Sequence, residues 1–184
     1  MTDFALSPFG LEFVARWEGF VGHVYNDADR PPNATIGYGH LLHQGPVTPT
    51  DLAAWHGGIT EANARKLLRH DTLTAVAAVK RAVRVPLSQA MIDALTSTVV
   101  NCGPGCLDGQ IGRAVNARPS LLEHPFRLAD WHQQVTDALL LYDHGNKGVV
   151  IPGLWRRRMS EARLFVTGKY TVSAGNPYSN WQYA

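Results

Sequence analysis

Apolar residues recur at intervals of three and four over most of this chain, a pattern typical of helices that bury one face. Three of the segments follow a hydroxyl residue that can cap a helix, at Ser7, Thr60 and Ser88. The predicted helical segments cover residues 8–18, 60–83, 87–103, 111–118, 125–144 and 152–168. The pattern therefore predicts a mainly helical protein.

Two short segments, residues 23–26 and 34–42, are instead rich in β-branched and aromatic residues, and a Pro-rich turn separates them. They predict a small β-hairpin lobe, which the long helix after Thr60 joins to an all-helical lobe. A cleft between two lobes is where a ligand is expected. The predicted α+β organisation comprises a single domain over residues 1–168, with a small lobe at about 18–59 and a helical lobe at about 60–168 that includes the N-terminal helix, and a surface tail at 169–184.

Composition argues against several classes of protein. Charged residues make up 17% of the 184 residues and the net charge is +2, which gives no sign of a dedicated nucleic-acid binder. No run approaches the ~18 apolar residues that span a bilayer, so no membrane insertion is predicted. The eight histidines are not at ligand spacing, and neither a metal nor a cofactor is predicted. Cys102 and Cys106 are expected to be free thiols.

The segment from Trp17 to Leu42 carries the candidate chemistry. Glu18 stands at the end of the first helix, Asp27 follows nine residues later, and Thr35 opens a Gly-containing turn. Two carboxyl groups in different environments can titrate apart, one as an acid and the other as a base. Acids in polar loops are more often solvated surface, so this pattern alone leaves both interpretations open.

These residues resemble the active-site segment of phage-type lysozymes, the muramidases of glycoside hydrolase family 24. The resemblance covers roughly residues 10–168 in the order of that family and implies its lysozyme-like fold. The matching segments are Glu18-Gly19, Tyr25-Asn26-Asp27, the run TIGYGHLL at 35–42, residues 87–105 and residues 152–165.

The resemblance implies hydrolysis of the β-1,4 bond between N-acetylmuramic acid and N-acetylglucosamine in peptidoglycan. Glu18 matches the general acid of the family, Asp27 the second carboxylate, and Thr35 the hydroxyl that helps to hold water. A poor leaving oxygen needs a proton from an acid, and a second carboxylate must polarise the water. The family is described as inverting, which implies carboxyl groups about 6.5–9.5 Å apart.

One departure from the family concerns the second carboxylate. The family places the threonine six residues after the aspartate, whereas Thr35 follows Asp27 by eight residues and Asp29 by six. Asp29, however, breaks the spacing from Glu18. Because a Pro-containing turn absorbs insertions readily, we expect the extra residues to follow Asp27 and Asp29 to be a solvated turn residue.

Further residues are expected to support this site. The resemblance makes Leu41 and Asn101 substrate-binding residues. It also predicts that an arginine of the last helix, Arg157 or Arg158, partners Glu18. Asp71 lies on the mostly apolar face of the long helix with Leu67, Ala75 and Ala78, and a buried acid is costly unless it is paired. We expect it to pair with His40, and the alternative is a solvated position at the edge of the apolar face.

Two other functions fit the same scaffold. A lytic transglycosylase needs the acid but no water-activating carboxylate, and Asp27 and Thr35 argue against it. A non-catalytic peptidoglycan-binding module would not need these residues at all. The charges of Asp3, Glu12 and Arg16 argue against a signal peptide. A monomer made in the cytoplasm is expected, which acts on peptidoglycan after release by a holin-type partner or a secretion system.

Overall fold

The computed structural model describes residues 4–28, 30–120, 125–145 and 148–171, with the side chains of residues 125 and 126 left out. The described elements are the helices α1 (Pro8–Glu18), α2 (Pro49–Ala54), α3 (Glu61–Asp71), α4 (Leu73–Ala82), α5 (Gln89–Cys102), α6 (Gln110–Asn116), α7 (Pro125–Leu140) and α8 (Pro152–Thr167), a 3₁₀ helix (Pro104–Leu107), and the strands β1 (Val21–Asn26), β2 (Ala34–Gly37) and β3 (His40–His43). The mainly helical α+β prediction is confirmed.

The chain divides into two compact units. The sheet unit comprises Val14–Leu73, and the helical unit comprises Met1–Phe13 together with Thr74–Ala184. The predicted lobe boundary near residue 60 therefore lies inside the sheet unit, and α3 belongs with the strands. No helix among the described residues has both the length and the apolar character that crossing a membrane requires.

The sheet unit is built on three antiparallel strands in the order β1-β2-β3. The sheet has one strand more than the predicted hairpin, because residues 34–42 form both β2 and β3 with a turn at Tyr38. Gly37 and Gly39 have φ values of +71° and +83°, which side chains with a Cβ rarely adopt. All four residues of β2 are buried, and a Cβ on Gly37 would lie 3.0 Å from the Cβ of Ala64 in α3. Close packing on α3 thus fixes the middle strand.

The prediction of one long helix from Thr60 is wrong, because the segment is divided at Thr72 into the helices α3 and α4. The Thr72 hydroxyl donates to the carbonyl of Arg69 at 2.9 Å, a local bond that competes with helix continuation. Thr60 does cap α3, since its hydroxyl accepts from the Asn63 N–H at 3.4 Å. The buried residues of α3 are Ala64 and Leu68, so the predicted face through Leu67 and Asp71 is wrong for this helix.

The helical unit packs α8 between α5 and α7, and α6 on α7. Ser88 caps α5, whose residues 92–99 are all buried, and Gly168 ends α8 in the left-handed conformation at φ +70°. Trp131 of α7 packs on Phe165 of α8 with ring centroids 5.4 Å apart. Its indole N–H donates to the carbonyl of Ala114 in α6 at 2.9 Å, which joins three helices.

A fully buried carboxylate, Glu161, organises the interface between α5 and α8. Its oxygens accept hydrogen bonds from the hydroxyl groups of Ser97 (2.6 Å) and Thr98 (3.0 Å) on α5. They also accept from Arg157 Nε (3.2 Å) and Arg158 Nη2 (3.1 Å), one turn earlier on α8. Both arginines are themselves buried, so the carboxylate compensates two cations that are excluded from water.

We predict that Glu161→Gln lowers the free energy of unfolding by about 3–5 kcal/mol, because it leaves the Arg158 guanidinium buried without a counter-charge. Urea denaturation monitored by circular dichroism measures this loss. Asp130→Asn, which changes an exposed carboxyl group on α7, is the matched control and should have little effect. Equal stabilities of the two variants would contradict the role given to Glu161.

Candidate active site

The three predicted catalytic residues all belong to the sheet unit. Glu18 is the last residue of α1, which begins after Ser7 as predicted, where the Ser7 hydroxyl accepts from the Gly10 N–H at 2.9 Å. Asp27 directly follows β1, and Thr35 is the second residue of β2. Helix and strand ends thus position both acids and the hydroxyl.

Asn33 orients the carboxylate of Asp27 through two hydrogen bonds. The Asn33 backbone N–H donates to Asp27 Oδ1 at 2.8 Å, and the Asn33 side-chain amide donates to Oδ2 at 3.0 Å. In return, the Asp27 N–H donates to the Asn33 carbonyl at 3.0 Å. Two donors on two oxygens fix the plane of the carboxylate. Sequence reasoning missed Asn33, although an asparagine after two prolines is a signal for a turn with local hydrogen bonds.

The same residue also positions the predicted hydroxyl. Thr35 is 4% exposed, and its Oγ1 donates to the Asn33 carbonyl at 3.2 Å. In the sheet, Thr35 pairs with Tyr25 on β1 and with Leu41 on β3. These three residues form one row across the strands. Leu41 is 50% exposed, as expected of a side chain that is to contact a ligand.

Tyr25 is a further polar residue of this region, on strand β1. Burial raises the pKa of its phenol, and the charges of Asp27 and Glu18 raise it further. Both carboxylates therefore act on the same hydroxyl. Tyr25 belongs to one of the matching sequence segments, but the sequence alone gives it no role in the site. Its position opposite Thr35 in the strand pair gives it one.

The hairpin connection bears on the choice between Asp27 and Asp29. The main-chain hydrogen bond between Asp27 and Asn33 closes the hairpin. The segment with the two prolines therefore forms the hairpin loop, and Asp27 stands at the start of that loop. Asp29 lies outside the described residues. Its assignment as a solvated turn residue stays a prediction.

The predicted pair of His40 and Asp71 is present, with His40 Nδ1 and Asp71 Oδ2 2.8 Å apart. The expectation that Asp71 is a buried acid is wrong, however. Asp71 is the last residue of α3 and its side chain is 37% exposed, so no buried acid needs compensation. The pair links the start of β3 to the end of α3, and its exposure limits its contribution to stability to well under about 1 kcal/mol.

The remaining predicted residues belong to the helical unit. Asn101 is exposed near the end of α5, and its Oδ1 accepts from Arg158 Nη2 at 3.0 Å. Arg157 and Arg158 are buried and bind Glu161, a partner that sequence reasoning missed although it lies three and four residues further along the same helix. The pairing of an arginine with Glu18 stays a prediction.

In chemical terms, the described residues offer carboxylates and hydroxyl groups. No group of three or more histidine, cysteine, aspartate or glutamate side chains suited to a metal ion occurs within residues 4–28, 30–120, 125–145 and 148–171. Cys102 and Cys106 are unbridged, and burial raises the pKa of both thiols, to about 12 for Cys106, so neither is an activated nucleophile. The sheet unit offers two carboxyl groups, Glu18 and Asp27, that can donate or accept protons.

The far end of β3 carries a second histidine–carboxylate pair. His43 Nε2 lies 2.9 Å from Asp51 Oδ2, and Asp51 caps α2 reciprocally with Thr48. Hydrogen bonds from the Thr48 hydroxyl, then from His43, lower the pKa of Asp51 from 3.8 to about 2. The pKa of His43 is raised, first by its hydrogen bond to the Gln44 carbonyl and then by Asp51.

Comparison with known proteins gives consistent matches. The sequence model of the phage lysozyme family matches residues 15–161. The endolysin of Salmonella phage P22 is 31% identical over 163 residues, which cover 88% of this chain and 98% of that endolysin. Endolysins of the Bacillus phages B103 and PZA also match, and the chain spans about half of their length, 55% in each case.

Two solved structures share the fold along most of their length. The endolysin from Escherichia coli O157:H7 phage FAHEc1 superposes with a TM-score of 0.71 at 27% identity, covering 92% of this chain and 98% of that one. The muramidase domain of SpmX from Asticaccaulis excentricus gives a TM-score of 0.68 at 28% identity, covering 88% and 97%.

We predict that the His43–Asp51 pair makes stability depend on pH in two windows. The contribution of Asp51 is present above pH 3.8 and is lost as the pH falls through about 2, because its folded pKa is the lower one. The contribution of His43 is present below pH 6.5 and is lost as the pH rises through its raised folded pKa. Asp51→Asn should remove the decline in urea midpoint on the acid side and reduce the decline on the alkaline side only in part, because the Gln44 carbonyl still raises the pKa of His43. Asp108→Asn should leave both declines unchanged. An unchanged profile for Asp51→Asn would refute the assignment.

Proposed function

Because this chain belongs to the phage lysozyme family, we propose that it is a muramidase that hydrolyses the β-1,4 bond between N-acetylmuramic acid and N-acetylglucosamine in peptidoglycan. The observation that carries the proposal is that the sheet unit contains both Glu18, at a helix end, and the Asp27 carboxylate, which Asn33 orients. The name of the SpmX muramidase domain supports the same class of reaction.

In the proposed reaction, Glu18 donates its proton to the glycosidic oxygen as the bond from that oxygen to the anomeric carbon breaks. A water molecule attacks the anomeric carbon from the other face, and Asp27 accepts the proton that this water loses. The sugar passes through a transition state with positive charge, which the Asp27 carboxylate also stabilises. We expect inversion, with room for the water between the two carboxyl groups.

The hydrogen bonds around Thr35 determine how it would hold that water. The Thr35 hydroxyl donates its proton to the Asn33 carbonyl, so its oxygen can accept a hydrogen bond from a water O–H. Each Asp27 oxygen takes one hydrogen bond from Asn33, which orients the carboxylate to accept a proton from the same water. The water is then bound with its own lone pairs free to attack.

Asn101 would contribute to substrate binding through its amide nitrogen. An arginine can only donate hydrogen bonds, so the contact with Arg158 places the Asn101 amide oxygen on the buried side. The amide NH₂ is then available to a sugar acetamido carbonyl. Leu41, half exposed on β3, would offer an apolar surface to a sugar ring.

A lytic transglycosylase would protonate the same oxygen but needs no carboxylate to activate water. The two hydrogen bonds that orient Asp27 therefore favour hydrolysis. As a peptidoglycan hydrolase, the protein would act in the cell wall as a monomer. It would reach the wall through a membrane pore formed by a separate holin-type partner or by a secretion system.

We predict that Glu18→Gln and Asp27→Asn each lower the rate of peptidoglycan solubilisation by about 10²–10⁴-fold, because each removes one proton-transfer group. Clearing of a turbid suspension of purified peptidoglycan measures the rate, and circular dichroism checks the fold. Asp29→Asn is the matched control and should lose little activity. If Asp29→Asn lost activity and Asp27→Asn retained it, the second carboxylate would have been assigned to the wrong residue.

A further inference from the structure

The helical unit contains a cavity of about 650 Å³ that none of the predicted catalytic or substrate-binding residues lines. It lies where the end of α4 meets the 3₁₀ helix and α6. Its charged lining consists of three arginines and one aspartate, a net of two positive charges: Arg81, Arg84, Arg113 and Asp108. A cavity of this size can hold a small organic anion or one unit of a polymer.

The walls of this cavity are fixed by Asn116. Its Nδ2 donates to the carbonyl of Ala82 at 2.8 Å, and its Oδ1 accepts from the Arg84 N–H at 2.7 Å. The first bond occupies a carbonyl at the C-terminal end of α4, which would otherwise oppose an anion. The second places the backbone of Arg84 against α6. Asn116 thus joins the two segments that carry the arginines.

Close packing fixes the opposite wall. A Cβ on Gly112 would lie 1.9 Å from the carbonyl oxygen of Leu107, so α6 approaches the 3₁₀ helix with backbone on backbone. Arg113, the next residue, is therefore anchored on a rigid element. These hydrogen bonds and backbone contacts therefore fix the shape of the cavity.

The three guanidinium groups are exposed, and they make no hydrogen bond or ion pair with another side chain in the described parts of the chain. Arg157 and Arg158 of the same unit, in contrast, both bind Glu161. Three cations that line one cavity repel one another. A ligand with negative charge would remove that repulsion.

We propose that this cavity binds a terminal phosphate group, a monoester carried on a wall polymer or a lipid headgroup. A carboxylate is planar and presents two oxygens, whereas a terminal phosphate presents three oxygens in three directions. Guanidinium groups from two separate segments match the second arrangement better, and arginine is the residue most suited to phosphate oxygens. The site would hold the protein at a phosphate-bearing surface, a role that rests on the proposed action in the cell wall.

Titration with inorganic pyrophosphate tests the site directly, with calorimetry at a constant ionic strength of about 0.15 M. We expect saturable binding that Arg81→Gln and Arg84→Gln each weaken about tenfold, the size expected for a lost charged hydrogen bond. Lys80→Gln is the matched control, because Lys80 is exposed beside Arg81 and does not line the cavity. Arg113 is left intact because it also lines a second cavity of about 410 Å³.

Two results would overturn the proposal. Equal weakening by all three substitutions would show a solvated basic surface without a site. Equal or tighter binding of citrate would show that the cavity does not select phosphate. The Glu18→Gln variant should bind pyrophosphate like the wild type, so loss of lysis and loss of this site are separable.

The source of the phosphate is identified by sedimentation with two probes, a wall glycan that carries phosphomonoester groups and vesicles that contain phosphatidic acid. Capture by one probe, reduced in the Arg84→Gln variant and retained in Lys80→Gln, supports the site and names its ligand. Capture by neither probe would overturn the assignment to a polymer- or lipid-borne phosphate.

Discussion

The hydrogen bonds between Asn33 and Asp27 are the interaction on which the candidate active site depends. Asn33 donates to both carboxylate oxygens, and its carbonyl accepts from the Asp27 N–H and the Thr35 hydroxyl. A single residue therefore orients the proposed base and the residue proposed to hold water. Asn33 directly precedes β2, which is buried throughout and packs on α3 through Gly37. The precision of the site thus derives from the core of the sheet unit.

The helical unit is organised by a different kind of constraint, a carboxylate without access to water. Glu161 compensates Arg157 and Arg158, and Arg158 extends the network to the amide of Asn101. Breaking such a cluster is costly, because any member left alone is a buried charge. The three arginines around the phosphate cavity differ in being exposed. Their guanidinium groups can still donate hydrogen bonds to a ligand, whereas those of Arg157 and Arg158 donate to Glu161.

Local signals predicted the helix starts at Ser7, Thr60 and Ser88, because a capping bond forms within one turn of its residue. They did not predict the break at Thr72, because threonine hydroxyl groups also bond the preceding turn in the unbroken α5. They did not decide between burial and exposure of Asp71, since tertiary packing determines it. The motif from Glu18 to Thr35 identified the candidate acids, and the distance between their carboxyl groups stays a prediction. It did not reveal Asn33 or Glu161, although both have partners nearby in the sequence, because the buried hydroxyl groups that also bind Glu161 come from α5.

The central claim is that a water molecule, placed by Asp27 and Thr35, cleaves the glycosidic bond. Mass spectrometry of the soluble fragments released from purified peptidoglycan in water enriched with oxygen-18 tests it most directly. We predict fragments that end in reducing N-acetylmuramic acid with one heavy oxygen at the anomeric carbon. Unlabelled 1,6-anhydro ends would contradict the account, because they form without water and would leave the ordered carboxylate of Asp27 without the role given to it.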